Sequence, residues 1–299
     1  MTPDPPDVDV LIVSLCAAER AAAIRRAVDS ALSQQGVHVR VTIVVNGQRL
    51  DRALFAELQH TPGVRVLYQA EPSIFLARRY AREEVGARWF GFLDDDDELM
   101  PGALAVRISA LAASPEADVV VSNGLLCEGQ STSPVLRDIA AIKRDPLHSL
   151  LARNWLATAS ALFRTASVPA EYFDVTIRSN DMTYLAFRLA LEKRVVFVDV
   201  PTYRKTYSPD SISLTQAWAL PALATLDKML SFPMPPTARQ GVRRKCAAAA
   251  HQISNIHRER GETALAWRYH LRSLAEPGGF LRYALSTRHL LGIRVGTRR

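Results

Sequence analysis

The sequence predicts an α/β chain: a parallel sheet wrapped by helices, followed by a helical region. Three observations predict it. Short apolar runs alternate with segments of helical period, with short connections between them. One of those runs, Trp89-Phe90-Gly91-Phe92-Leu93, stops abruptly in Asp94-Asp95-Asp96-Asp97-Glu98. From Ala217 onward the pattern is helical, interrupted only at Phe232-Pro233-Met234-Pro235-Pro236 and at Pro277-Gly278-Gly279.

The elements follow in order. Val8 to Val13 is a buried strand, and a helix from about Ala17 to Gln34 places Ile24, Val28, Ala31 and Leu32 on one face before Gly36 ends it. Val39 to Val45 is the second strand, closed by the turn signal Asn46-Gly47, and a short helix covers Asp51 to Gln59. Val64 to Tyr68 is the third, and a helix from Ile74 to Val85 leads to the aspartate-tipped fourth. A helix beyond Pro101 ends at Ser114-Pro115, and Val119 to Val121 is a strand. Glu128 to Ser133 reads as a loop or hairpin tip, Ala159 to Arg164 and Val195 to Val198 as strands flanking a helix from Asp181 to Glu192, and Pro201 to Ser213 as a loop. Strand-helix alternation of this kind is Rossmann-like. The domain boundary is expected in the first proline run, giving 1-232 and a basic helical subdomain 233-299, in which Ala247 to Leu274 forms a helical hairpin turning near Gly261.

Composition excludes several classes. With 299 residues, 48% hydrophobic and 22% charged, the chain is of ordinary globular composition, and no apolar stretch reaches the roughly 18 residues that a spanning helix needs. The acidic, proline-rich start Met1 to Asp7 is not of the secretory or transit type. Three scattered cysteines without a CxxC fit a reducing cytoplasm and no disulfide or zinc framework. The net charge of +7 is unevenly placed: Arg239 to Arg299 holds 13 Lys/Arg against 3 Asp/Glu, whereas residues 1-238 hold 24 against 27. That basic region suits an anionic partner, such as a membrane surface or a phosphorylated acceptor; nucleic acid is not the expected one. The expected location is cytoplasmic, peripheral at the inner face of the membrane.

Chemistry concentrates at the aspartates. Two carboxylates about 4 Å apart repel by roughly 4 kcal/mol at an effective dielectric near 20, so a strand end that collects several normally holds a cation or a proton. Ligands of open α/β sheets sit at the carboxyl ends of strands, where Ser14, Asn46 and Asp94 would share one rim. Neither GxGxxG nor GxxxxGK[ST] is present, so diphosphate charge must be met by arginines or by a metal, with oxygen ligands suited to Mg²⁺ or Mn²⁺. The alternative is a solvated acidic turn capping the helix near Pro101. Arg78 and Arg79 lie on the preceding helix, where one could reach a nucleotide and Arg79 equally suits the surface. Arg178-Ser179-Asn180-Asp181 opens a later helix, with Asp181 in the first turn, where the dipole favours the ionised form and a carboxylate can serve as general base. Arg188, two turns on, falls on nearly the same face.

The succession of Val10 to Ser14, Asp29-Ser30-Ala31-Leu32, Ile43 to Gly47, Ala77-Arg78, Phe92 to Asp97, Asn180-Asp181 and Tyr203-Arg204 through Ser211-Ile212-Ser213 resembles the family 2 glycosyltransferases over about residues 8 to 214. The resemblance implies a GT-A fold with a mostly parallel sheet, a nucleotide-sugar half at about 8-125 and an acceptor half at about 126-214. It implies a nucleotide diphosphate sugar donor bound through Mn²⁺ or Mg²⁺ and transferred with inversion to a carbohydrate, lipid-linked or small-molecule acceptor. By the same resemblance Asp94 is the ribose-side aspartate and Asp96 the metal ligand, joined by Asp94. Asp181 is the base, Arg78 approaches the nucleotide with Ser14 and Asp95, and Asn180 and Arg188 stand on the acceptor side. Asn46 takes the place of a uracil-contacting aspartate, leaving uridine the favoured nucleotide. Ser14-Leu15-Cys16-Ala17 stands where Pro-Thr-Tyr-Asn is usual, and Tyr203-Arg204-Lys205-Thr206 lacks the histidine of the Tyr-Arg-x-His pattern. The other readings are a nucleotidyltransferase, which would need a basic glycine-rich loop after strand one, and a non-catalytic binding domain.

Overall fold

The computed structural model describes residues 6-206 and 215-291. The chain forms two compact units, Met1–Thr176 with Leu185–Ser208, and Ile177–Tyr184 with Pro209–Arg299. Among the described residues no helix is long and apolar enough to cross a membrane.

The first unit opens with β1 (Val8–Ser14), α1 (Ala21–Leu32), β2 (Val39–Asn46), α2 (Arg52–His60), β3 (Val64–Gln69), α3 (Ile74–Glu83) and β4 (Trp89–Asp94). Helix starts are set locally: the Asp51 side chain accepts from Leu54 N, and that of Ser73 from Leu76 N. β1, β2, β3 and β4 are parallel, and β1 and β2 are buried along almost their whole length, as near-continuous Val/Ile/Leu runs require. Beyond β4 come β5 (Glu98–Leu99), α4 (Ala103–Ala113), β6 (Val119–Glu128), β7 (Ser131–Pro134), α5 (Ile139–Arg144), α6 (Pro146–Ala152), β8 (Ala161–Arg164), α7 (Asp181–Glu192) and β9 (Val195–Thr206). The strand order is β3-β2-β1-β4-β8-β6-β9-β5, with β7 on β6. β8 is antiparallel to both β4 and β6, and β9 is parallel to β6, so the sheet is mostly but not wholly parallel.

Two expectations change here. The strand beginning at Val195 does not stop at Val198; it continues through Pro201 to Thr206. Pro201 has no N–H to give, and the ladder with β6 slips there, at Asn123, before resuming at Leu125 and Arg204. Residues 207-214 of the expected loop, including Ser211 to Ser213, lie outside the described residues, as do Met1 to Pro5 of the leader and 292-299 of the basic tail. The helices α5 and α6 were not expected; each is a turn or two long and begins on an aspartate cap, Asp138 and Asp145.

The second unit contains α8 (Gln216–Ala219), α9 (Ala222–Leu230), α10 (Pro236–Glu259), α11 (Thr263–Ala275), α12 (Gly279–Tyr283) and α13 (Thr287–Leu290). α10 and α11 form the expected hairpin, turning at Gly261. Helix α7 is divided between the two units, its first turn assigned to the second and the rest to the first.

Candidate active site

The site is built on the carboxyl ends of the central strands of the first unit. Val45 lies opposite Ser14 on one side of β1, and Asp94 lies opposite Val13 on the other, so Ser14, Asn46 and Asp94 finish at one edge. The Ser14 hydroxyl donates to the Asp95 carboxylate and accepts from Cys16 N at 3.0 Å. Cys16 has φ 54°, and its carbonyl accepts from Asp51 N at 2.9 Å, which folds the loop after β1 back on itself. Burial pushes the Cys16 thiol up to about 11, so it stays a neutral packing group.

Arg20, in the short helical turn before α1, grips the acidic loop. Its guanidinium holds both oxygens of Asp95, one at 3.0 Å, and reaches Asp96 Oδ2 at 3.0 Å. The hydrogen bond to Asp95 raises the Arg20 pKa above its ordinary value. On the other side of the loop, Lys205 Nζ lies 3.8 Å from Asp94 Oδ2 and 3.7 Å from Asp97 Oδ2. Burial pulls the Lys205 pKa down, but Asp94 and Asp97 outweigh it and hold it above the ordinary value. Asp97 is 1% exposed and accepts from Thr206 N at 3.1 Å; burial, with the charge of Asp94 added, pushes its pKa up to about 7. Arg78, buried on α3, brings a nitrogen to 3.7 Å from Asp94 Oδ1. Three side-chain cations thus serve four aspartates. Arg79 is spent on Glu83 at 2.8 Å on the exposed face of the same helix.

β9 can deliver Lys205 and Thr206 only because β6 carries a glycine where the strands pack. A Cβ on Gly124 would lie 2.3 Å from the ring of Tyr203, which is fully buried. Leu99 and Glu98 of β5 pair with Tyr203 and Arg204, so the acidic loop is clamped between β4 and β9.

A divalent ion bound at this rim would find few ligands from the chain itself. Among the described residues no group of three or more His, Cys, Asp or Glu converges as a metal site. Asp96 is half-buried and its Oδ2 is held by Arg20, while Oδ1 has no partner among the described residues. One hard carboxylate oxygen suits Mg²⁺ or Mn²⁺ provided that most of the coordination comes from a bound phosphate group and water.

Asn46 is fixed by its own side-chain oxygen, which accepts from Ser73 N at 2.8 Å and Gln69 Nε2 at 3.1 Å. Those bonds set the amide orientation and leave Nδ2 as an available donor.

In the second unit, Asn180 has φ 54° and its Nδ2 donates to Ser179 Oγ at 2.9 Å, which places Asp181 at the first position of α7. The Ser179 carbonyl accepts from Thr225 Oγ1 at 2.8 Å, pinning this segment to α9. Arg188, in the first unit, lies over the Tyr172 ring at 4.1 Å and bonds the Glu171 carbonyl at 2.8 Å and Glu192 at 3.1 Å.

The first unit therefore gathers Ser14, Asn46, Arg78, Asp94, Asp95 and Asp96 at one edge, while Asn180 and Asp181 belong to the second unit. Sequence reasoning missed Arg20 and Lys205. Lys205 could have been noticed, as a cation beside the missing histidine of the Tyr203 to Thr206 stretch. Nothing local marks Arg20.

Residues 12–182, more than half of the chain, match the family described as glycosyl transferase family 2. No curated protein matches the chain. Among solved structures, S. aureus TarS 1-349 is similar with a TM-score of 0.63 at 14% identity, covering 96% of this chain and 89% of that one. The same fragment in complex with UDP-GlcNAc gives 0.55 at 14% identity over 96% and 79%, and in complex with UDP 0.57 at 13% over 86% and 75%. At these identities the likeness is one of fold.

Proposed function

The chain belongs to glycosyl transferase family 2, and from that premise we propose that it moves a sugar from a uridine diphosphate sugar to an acceptor hydroxyl with inversion. The observation that carries the proposal is the acidic loop Asp94 to Asp97, held at the strand edge by Arg20, Arg78 and Lys205. Those cations are already engaged by more carboxylates than they number, so they do not by themselves balance an incoming diphosphate. That favours Mn²⁺ or Mg²⁺ on the open oxygen of Asp96, with Asp94 beside it. When bound, such an ion offsets the negative charge that builds on the departing diphosphate.

The rest falls to the chain. Asp94 accepts from the ribose. Asn46 donates through Nδ2 to a base carbonyl, which uracil offers, and the TarS complexes with UDP and UDP-GlcNAc support a uridine donor. Ser14 and Arg20 hold Asp95 and so fix the loop that presents Asp96. Asp181 takes the proton of the acceptor hydroxyl as that oxygen attacks the anomeric carbon from the side opposite the nucleotide. The acceptor is a carbohydrate, a lipid-linked sugar or a small alcohol.

Nucleotide release from a panel of sugar nucleotides with Mn²⁺ is the direct test. UDP should appear from at least one donor, and silence across the panel would remove the enzymatic reading. The variant Asp181→Asn should lower turnover by about 10²- to 10⁴-fold, the usual worth of a general base. Calorimetry should find its donor affinity unchanged; ordinary turnover would strip Asp181 of this role.

A further inference from the structure

The second unit carries an exposed apolar surface among residues to which the proposed sugar transfer assigns no role. α10 and α11 bury Ala247, Ala250, Ile253 and Ala266, and α12 is pinned against them. A Cβ on Gly279 would lie 1.8 Å from the Ser273 carbonyl oxygen, so only glycine allows that approach. At the other end of α12, Tyr283 stacks on His251 with ring centroids 4.2 Å apart. The backbone is thus held at both ends, yet Phe280, Leu281 and Leu285 are 65%, 91% and 79% exposed. Isolated surface leucines need no explanation, but three large apolar side chains within six residues make a patch.

Charge identifies what would cover it. Arg282 and Arg288, on the same stretch of chain, are exposed, and neither has an ion-pair partner among the described residues. From Pro277 onward the sequence contains no Asp or Glu. Other arginines of this unit are engaged: Arg243 bonds Glu276 at 2.8 Å and Arg260 bonds Gln216 at 2.8 Å. Exposed leucines flanked by unpaired guanidiniums, with no acid among them, have the composition of a surface that seats at the headgroup boundary. There the leucines enter the acyl layer and the arginines meet lipid phosphates. We infer that this face of the second unit docks on an anionic lipid bilayer.

The test uses the full chain and vesicles of phosphatidylcholine, alone or mixed with phosphatidylglycerol. The protein should cosediment with the mixed vesicles only, and less so as salt is raised. The double variant Leu281→Ser with Leu285→Ser, at exposed positions, should keep its circular dichroism and melting temperature but bind at least about tenfold more weakly, because it loses apolar insertion. Arg282→Gln with Arg288→Gln should weaken binding to mixed vesicles as well. Three results would overturn the inference: no cosedimentation of the wild type, undiminished binding of the leucine variant, or a wild-type dimer in sedimentation velocity that the leucine variant abolishes. The last would assign the face to a second copy of the chain.

Discussion

Two clusters of charge sit at opposite ends of the central strands of the first unit, and they are built on different principles. Asp9, near the start of β1, is fully buried and completely satisfied. Arg40 meets its two oxygens at 2.7 and 2.9 Å, and Gly86 N and Ala87 N donate at 3.0 and 3.1 Å. At the far end, Asp94 keeps its cations at 3.7 and 3.8 Å, beyond hydrogen-bond length, and Asp96 has an oxygen to spare. A fully buried carboxylate that already takes four donors serves to hold the fold together. At the far end Asp95 is held as firmly, but Asp94 and Asp96 keep bonding capacity for a ligand, and that is the difference between structure and site here.

The sharpest way to break this comparison is at Asp9. Replacing it by Ala leaves Arg40 and two amides without their acceptor, and breaking a buried pair from one side costs about 3–5 kcal/mol. Urea unfolding should therefore shift to markedly lower midpoint, while the fraction still folded binds nucleotide with wild-type affinity. If affinity fell in proportion to stability, the two ends would not be independent.

Next in size is Gly124→Ala. The methyl would collide with the Tyr203 ring, and overpacking of this kind costs about 1–3 kcal/mol. Because Tyr203 precedes Arg204 and Lys205 on β9, the same change should disturb the acidic loop and weaken nucleotide binding as well as stability. Lost stability with intact binding would mean that β9 does not set the geometry of the rim.

How much of this was legible in the sequence follows from how local each feature is. The strands of the first half, the helix starts at Asp51 and Ser73 and the acidic loop after Leu93 are written in runs of fewer than ten residues, where period and charge suffice. The sheet edge shared by Ser14, Asn46 and Asp94 followed from parallel strands alone. What escaped depends on distant pairing. Arg20 meets Asp95 across 75 positions, and Ser122 of β6 bonds Thr202 of β9 across 80. β8 enters antiparallel between β4 and β6, an order that no local pattern encodes. Pro201 read as the start of a loop after a strand ending at Val198, because a proline's effect on a ladder depends on whether the partner can slip past it, and here it does at Asn123.

A smaller effect is expected at Asp96, where the comparison predicts the reverse of Asp9. Asp96→Ala removes no saturated hydrogen-bond network, so stability should stay within about 0.5 kcal/mol of wild type. Metal-dependent UDP binding should fall at least about tenfold, or 1.4 kcal/mol, in calorimetry with and without Mn²⁺. Equal affinities in the two proteins would remove Asp96 as the metal ligand.

The smallest effect should come from a third kind of group, a pair of largely buried histidines with no ion-pair partner among the described residues. His251 and His270 in the second unit have pKa values below the ordinary 6.5, because burial disfavours the cation and, for His251, because His270 is near. The folded state therefore binds fewer protons than the unfolded state once the pH drops below about 6.5, so their contribution to stability is whole above that pH and is lost as the pH falls through it. In His251→Phe the stack on Tyr283 can persist while one titrating group is gone. Melting temperatures measured from about pH 7.5 down to about pH 5.5 should decline more steeply in the wild type than in this variant. Parallel declines would mean that His251 is not held neutral by the fold, and that carboxylates elsewhere account for the acid sensitivity.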